Sequence, residues 1–170
     1  MEFTFHKYHG TGNDFIVLDN RDMRFDRTRT SVVKSLCDRR FGIGADGLIL
    51  LQNRAGYDFE MVYFNSDGNE SSMCGNGGRC IVAFAQSLGV IADSAHFLAI
   101  DGPHDATIEA GRVSLKMGDV VGIERIGDDF YLDTGSPHYV SNVADVKGLD
   151  LVTEARKVRY NDRLRLKAPT

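Results

Sequence analysis

At 170 residues, 42% hydrophobic and 26% charged, the chain holds enough apolar material for one ordinary domain or two small ones. A net charge of −4 leaves no electrostatic footprint for nucleic acid, and no apolar run approaches the roughly 18 residues a membrane span needs. Three cysteines, an odd number, argue against a disulfide framework and for a reducing compartment, with the cytoplasm as the default.

Met1–His6 lacks a basic stretch followed by an apolar one, so no signal peptide is expected. Phe3 and Phe5 alternate with Thr4 and His6 as a short half-buried strand, Gly10 and Gly12 mark a turn, and Phe15–Leu18 reads as a second strand. Thr28 or Thr30 can cap a helix running to about Arg39, with Val32, Val33 and Leu36 on its apolar face and Cys37 beside them. Leu48–Leu51 and Phe59–Phe64 read as strands, the latter with Phe59, Met61 and Tyr63 on one face.

A helix after Cys74 carries Ile81, Phe84, Ala85 and Leu88 at helical spacing and stops at Gly89. Val82 and Ala83 fill most of its other faces, so it is expected to be enclosed nearly all round, with short strands wrapped about it. From Ala95 the texture is all-β: His96–Ile100, Ala106–Glu109 and Val113–Met117 form a meander, followed by strands at Phe130–Leu132 and His138–Val140. Leu149–Arg156 reads as one short helix, and the basic residues from Arg156 to Lys167 read as a solvated tail.

Gly42-Ile43-Gly44-Ala45-Asp46-Gly47 matches G-x-G-x-x-G literally, but a dinucleotide fingerprint needs a strand before it and a helix after it. Here the order is reversed, so a tight turn is expected and no nucleotide. Asn65–Cys80 carries the chemistry. A strand enters it, a buried helix leaves it, and Cys74 falls at the helix N-terminus, where unpaired N–H groups favour thiolate and offer donors to a carboxylate. Cys37 and Cys80 read as buried structural thiols. The spacing from Cys74 to Cys80 is too wide for a zinc pair, so no metal is expected. A phosphatase-like loop fits poorly, because Met73 stands where histidine belongs and only Gly75–Gly78 separate Cys74 from Arg79. Asn13 and Asn65 lie in glycine-rich turns beside strands, where an amide can fork onto a ligand's carboxylate and ammonium or simply stabilise the turn.

These residues also carry a resemblance. Asn65-Ser66-Asp67-Gly68 with Met73–Cys80, His9-Gly10-Thr11-Gly12-Asn13-Asp14-Phe15, and Gly42–Gly47 resemble, in order, three signatures of the diaminopimelate epimerase family. The resemblance implies an α/β (α+β) fold in which strands wrap a central helix, with a complete first domain over residues 1–117 and an incomplete part of a second over 118–170. It implies inversion of one α-carbon of diaminopimelate by two thiols on opposite faces, with no pyridoxal phosphate or other cofactor. Cys74 matches the first thiol, Gly75 and Asn76 the donors to the reacting carboxylate, Asn13 and Asn65 substrate-binding asparagines, and His138 the histidine thought to tune a thiol. A homodimer is the implied partner state.

The chain departs from the family in three places. Gly47 stands where many members carry glutamine and Ser136 where they carry asparagine, so those two contacts are not expected. Proline racemases and hydroxyproline epimerases, the nearby alternative, typically follow the first cysteine with Gly-His, whereas Asn76 here favours the diaminopimelate branch. The third departure follows Arg163. Leu164–Thr170 is what a coding stretch for Phe-Lys-Ala-Glu-Gly-Thr-Asn becomes when shifted by one base. A frameshift that removes the second cysteine is therefore expected, leaving a chain incompetent for turnover, or a fragment that only binds ligand or self-associates through unpaired strand edges.

Overall fold

The computed structural model describes residues 2–161, so the C-terminal expectation at Leu164–Thr170 lies outside the described residues. The chain opens with a hairpin, β1 (His6–Gly10) against β2 (Asn13–Asp19), in a register running from His6↔Val17 to Gly10↔Asn13. The two loop residues, Thr11 and Gly12, have φ of 54° and 90°, the positive values that a two-residue turn matching strand twist requires. That turn sets where the first strand lies. Phe3 and Phe5, expected inside it, precede it and are exposed, with Phe3 edge-on to Phe25.

After β2 comes α1 (Thr30–Cys37), and its start corrects the sequence reading. Arg29 occupies the cap with no side-chain bond, Thr30 is already helical, and the Thr28 hydroxyl donates to Asp26 instead. The helix ends where Asp38 turns extended and its carboxylate accepts the N–H groups of Arg40 and Phe41. β3 (Gly47–Gln52) then runs parallel to β2, and β4 (Phe59–Asn65) antiparallel to β3.

α2 (Gly75–Ser87) follows. It closes in a Schellman motif: Gly89, φ 69°, gives its N–H to Gln86 O, and Val90 N–H reaches Ala85 O. β5 (Ser94–Ala99), β6 (Gly102–Glu109) and β7 (Arg112–Leu115) complete a seven-stranded sheet in sequential order. Ile100, expected in β5, lies past its end and is exposed, because β6 already begins pairing at Gly102.

Strand alternation sorts the core into two layers. Phe15, Val17, Ile49, Leu51, Phe59 and Met61 share one cluster with Ile81, Phe84 and Ala85 of α2. Ile16, Leu18, Leu48, Leu50, Val62 and Phe64 share another with Val33 and Cys37 of α1. The central strands are therefore apolar on both faces, as strands covered by crossover helices must be. Both edge strands, β1 and β7, also pack on α2, so the sheet curls round that helix, as the sequence implied. Gly77 and Gly78 let the first turn come close. A Cβ at Gly77 would lie 3.1 Å from Ile49 Cδ1 and Met61 Cε, and one at Gly78 2.6 Å from Met73 Cε.

The described residues divide into two compact units between Met117 and Gly118. The second holds an antiparallel sheet of β8 (Ile123–Ile126), β9 (Asp129–Asp133) and β10 (Pro137–Val140), in the order β10-β9-β8. β8 has only Ile123 and Ile126 as apolar residues; the Gly127-Asp128 turn, with Gly127 at φ 66°, brings it onto β9. α3 (Leu151–Arg159) starts later than the apolar pattern implies, because Asp150 accepts from Thr153 N–H and Oγ1 at 3.2 and 2.6 Å. None of its side chains is buried.

Phe84 is fully buried against α2's enclosing strands, with His6 and Tyr8 rings 4.9 and 5.8 Å away, whereas Phe41 is 93% exposed. Phe84→Ala is expected to cost about 3–5 kcal/mol, and Phe41→Ala no more than about 0.5 kcal/mol, read as shifts in the urea midpoint.

Candidate active site

The starts of β2 and β3 and the end of β4 lie in one row, since Phe15 pairs with Gly47 and Gly47 with Asn65. The N-terminus of α2 arrives at this end of the sheet. Cys74 is its cap residue, in extended conformation, and the sulfur accepts the Gly77 N–H at 3.5 Å. Gly75 and Asn76 are the first two helical residues, whose N–H groups precede the helix's own hydrogen-bond ladder. Gly10 admits Asn76 against the hairpin, since a Cβ there would lie 3.0 Å from Asn76 Cβ.

Asn13, at the first position of β2, joins the two. Its Oδ1 accepts from the Cys74 thiol at 3.7 Å and from Asn76 Nδ2 at 3.3 Å, and its Nδ2 donates to Asp46 Oδ2 at 2.8 Å. On the far side of Asn76, the Arg79 guanidinium donates to Oδ1. Asn65 closes β4: Tyr63 hydroxyl donates to its Oδ1 at 2.9 Å, and its Nδ2 donates to Ser71 Oγ at 3.0 Å. A Cβ at Gly47 would lie 2.5 Å from a Tyr63 ring carbon, so this tyrosine fills the space of a side chain there. Burial, and then the charge of Cys74, push the Tyr63 phenol well above its ordinary value, which keeps it a hydroxyl donor.

The glycine-rich loop between α1 and β3 has a structural task and holds the charges. Ile43 and Gly44 N–H both reach Leu36 O and Ala45 N–H reaches Cys37 O, so the loop satisfies the last carbonyls of α1. A Cβ at Gly42 would lie 2.1 Å from Ser35 O. A helix precedes the loop and a strand follows it, the reverse of a dinucleotide site. Arg39 Nη2 bridges Asp14 Oδ1 at 2.6 Å and Asp46 Oδ1 at 2.7 Å, and Lys7 Nζ reaches Asp14 Oδ2 at 2.7 Å. The Arg39 bond, opposed by burial and reinforced by Lys7, holds Asp14 well below the usual carboxylate range; the Asn13 amide, opposed by burial and helped by Arg39, lowers Asp46.

Of the residues singled out from sequence, Cys74, Asn13 and Asn76 form one hydrogen-bonded cluster, Gly75 lies within its helix turn, and Asn65 stands at the end of β4 in the same row of strands. His138 belongs to the second unit, on β10, where its Nδ1–H donates to Ser136 O at 2.7 Å. Sequence reading missed Asp46, Arg39, Asp14 and Tyr63. The one signal for them was an acidic residue, Asp46, inside a glycine loop. Among the described residues no group of three His, Cys, Asp or Glu side chains is placed to hold a metal ion.

Cys37 and Cys80 are buried to 3% and 4% exposure, and burial pushes both thiols up to about 11. Cys74 is therefore expected to alkylate fastest of the three with iodoacetamide at neutral pH, by peptide mapping; equal labelling of Cys37 or Cys80 contradicts this. The depressed carboxyls have a second consequence. Their stabilisation is present above the unfolded value near 3.9 and is lost as pH falls through the folded values. The melting temperature should drop below about pH 4, less steeply in Arg39→Ala, in a pH series of thermal melts.

Residues 5–123 match the family model for diaminopimelate epimerase. The chain is 52% identical over 158 residues to the diaminopimelate epimerase of Flavobacterium psychrophilum, covering 92% of this chain and 62% of that protein. It is 41% identical over 163 residues to that of Chlorobaculum tepidum, covering 91% and 63%. The chain thus spans less than two thirds of the length of either relative. The fold is similar to that of a hydroxyproline epimerase from Agrobacterium vitis, with TM-score 0.56 at 13% identity over 79% of this chain and 50% of that one. By the match of residues 5–123 to its family model, the chain is a member of the diaminopimelate epimerase family.

Proposed function

We propose that this chain carries the first half of a diaminopimelate epimerase site, which interconverts the LL and meso forms without a cofactor. The observation that supports it best is Cys74 at a helix N-terminus, with Gly77 N–H on its sulfur and the Asn13 and Asn76 amides against it. Inversion needs a base on one face of the α-carbon and an acid on the other. A thiolate takes the α-proton, the C–H electron pair passes to the carbon and its carboxylate, and a thiol on the opposite face returns a proton. Two groups are needed because a single one would mostly return the proton to the face it came from. The carbanion is the difficult species, and donors aimed at the carboxylate stabilise it. The N–H groups of Gly75 and Asn76, at the positive end of α2, suit that role, and Asn13 and Asn65 suit a zwitterion's ammonium and carboxylate. His138 would serve to tune a thiol, and the chemistry would run in the cytoplasm, in a homodimer.

Cys37 and Cys80 are buried, so Cys74 is the one thiol of this chain open to a substrate, and the chain presents no second thiol of its own for the opposite face. A second reading, a chain that binds ligand or self-associates without turnover, is favoured by the exposed Ile123, Val146, Leu151 and Val152 of the second unit. Calorimetry of the chain is expected to detect diaminopimelate weakly and ATP not at all, with α-deuterium uptake from heavy water near background. ATP binding without amino-acid binding would overturn the substrate class. Robust turnover by a homogeneous preparation would place a second thiol from another copy at the site, and native mass would show that copy.

A further inference from the structure

Asp46 has no place in the reaction just described, yet its bonds decide which way Asn13 faces. An ionised carboxylate only accepts hydrogen bonds, so the Asn13 group turned to Asp46 Oδ2 must be the NH2, and the carbonyl must point the other way, at Cys74. The opposite end agrees. Arg79 only donates, so Asn76 turns its carbonyl to the guanidinium and its NH2 to Asn13 Oδ1. A flipped Asn13 would set carbonyl against carboxylate and NH2 against NH2, two repulsive contacts in place of two favourable ones. Asp46 is itself fixed by Arg39 on its other oxygen and by Asp14 N–H at 3.2 Å.

We propose that Asp46, held by Arg39, is a positioning residue that sets the Asn13 amide so that an acceptor, not a donor, faces the Cys74 sulfur. An acceptor there bonds the S–H form, while Gly77 N–H remains to receive the thiolate once the proton has gone. The sulfur thus has one partner for each state of the proton it exchanges. Other ionisable groups around it are Tyr63 from β4 and Arg79 and Cys80 from α2, and none of them bonds Asn13 Nδ2. The proposal rests on reading Cys74 and Asn13 as site residues. Its test needs no substrate, so it can fail or hold whatever the substrate is.

The test is Asp46→Asn in the full chain. Arg39 still demands an acceptor, so the new amide turns its oxygen to Arg39 and its NH2 to Asn13, which reverses the demand on Asn13 from this side; Asn76 still offers its NH2 to the Asn13 carbonyl, so the two orientations of Asn13 compete and one of them brings its NH2 to the sulfur. Iodoacetamide should then alkylate Cys74 about tenfold faster at pH 7, with the rate–pH profile moved to lower pH. Loss of the Asp46 charge alone would act in the same direction, and the Asn13→Ala background separates the two effects. There, adding Asp46→Asn should change the rate by no more than about twofold. An unchanged rate in the folded single variant, or an equal acceleration in the Asn13→Ala background, overturns the proposal. If Asp46→Asn does not fold, the unaltered chain decides by NMR. The Asn13 side-chain NH2 protons should show no cross-relaxation with the Cys74 β-protons, and a clear signal between them overturns the assignment.

Discussion

The constraint on which the first unit depends is the burial of α2 along most of its length. A helix apolar on nearly every face must be surrounded, and a seven-stranded sheet does so only by curling until both β1 and β7 rest on it. The N-terminal turn then cannot escape to solvent. It emerges at the end of the sheet where β2 and β3 begin and β4 ends, and Gly77 and Gly78 reduce its bulk enough to seat it on Ile49, Met61 and Met73. The position of Cys74 follows from packing, and its chemistry from the unpaired amides of the turn that packing has placed there.

Polar order at this end is built from outside inwards. Arg39 leaves α1 and gathers Asp14 and Asp46, the two carboxylates fix the hairpin to the glycine loop, and only then is the Asn13 amide defined. Each link is a charge facing a group that can answer it in one way. Charged groups at the rim thus give direction to neutral amides deeper in, where an unpaired or misdirected group would cost most. The same loop ends α1 by taking up its last carbonyls, so a single segment serves stability and site geometry together.

The second unit contrasts with the first. Its sheet has three short strands, α3 buries no side chain, and its boundaries are set by local devices: the Gly127-Asp128 turn and the Asp150 cap. Elements of this kind owe their positions to neighbours in sequence more than to a shared core.

The sequence by itself determined the strands β2, β3 and β4 with Phe59 and Met61 on one face, the enclosed helix with its glycine stop, and the cysteine at that helix's start, because each depends on spacing within one element. It misplaced β1, since two exposed phenylalanines mimic a strand's alternation and only the Thr11-Gly12 turn shows which residues pair. It put the cap of α1 on Thr28 or Thr30, but the first gives its hydroxyl to Asp26 and the second is already helical. Tertiary structure alone decided the site's connections. Asn13 meets Cys74 across 61 positions, Asn76 across 63 and Asp46 across 33, and no pattern within a window predicts which amide a distant carboxylate will orient. That choice is made when strands fold side by side and a buried helix brings its first turn to their end.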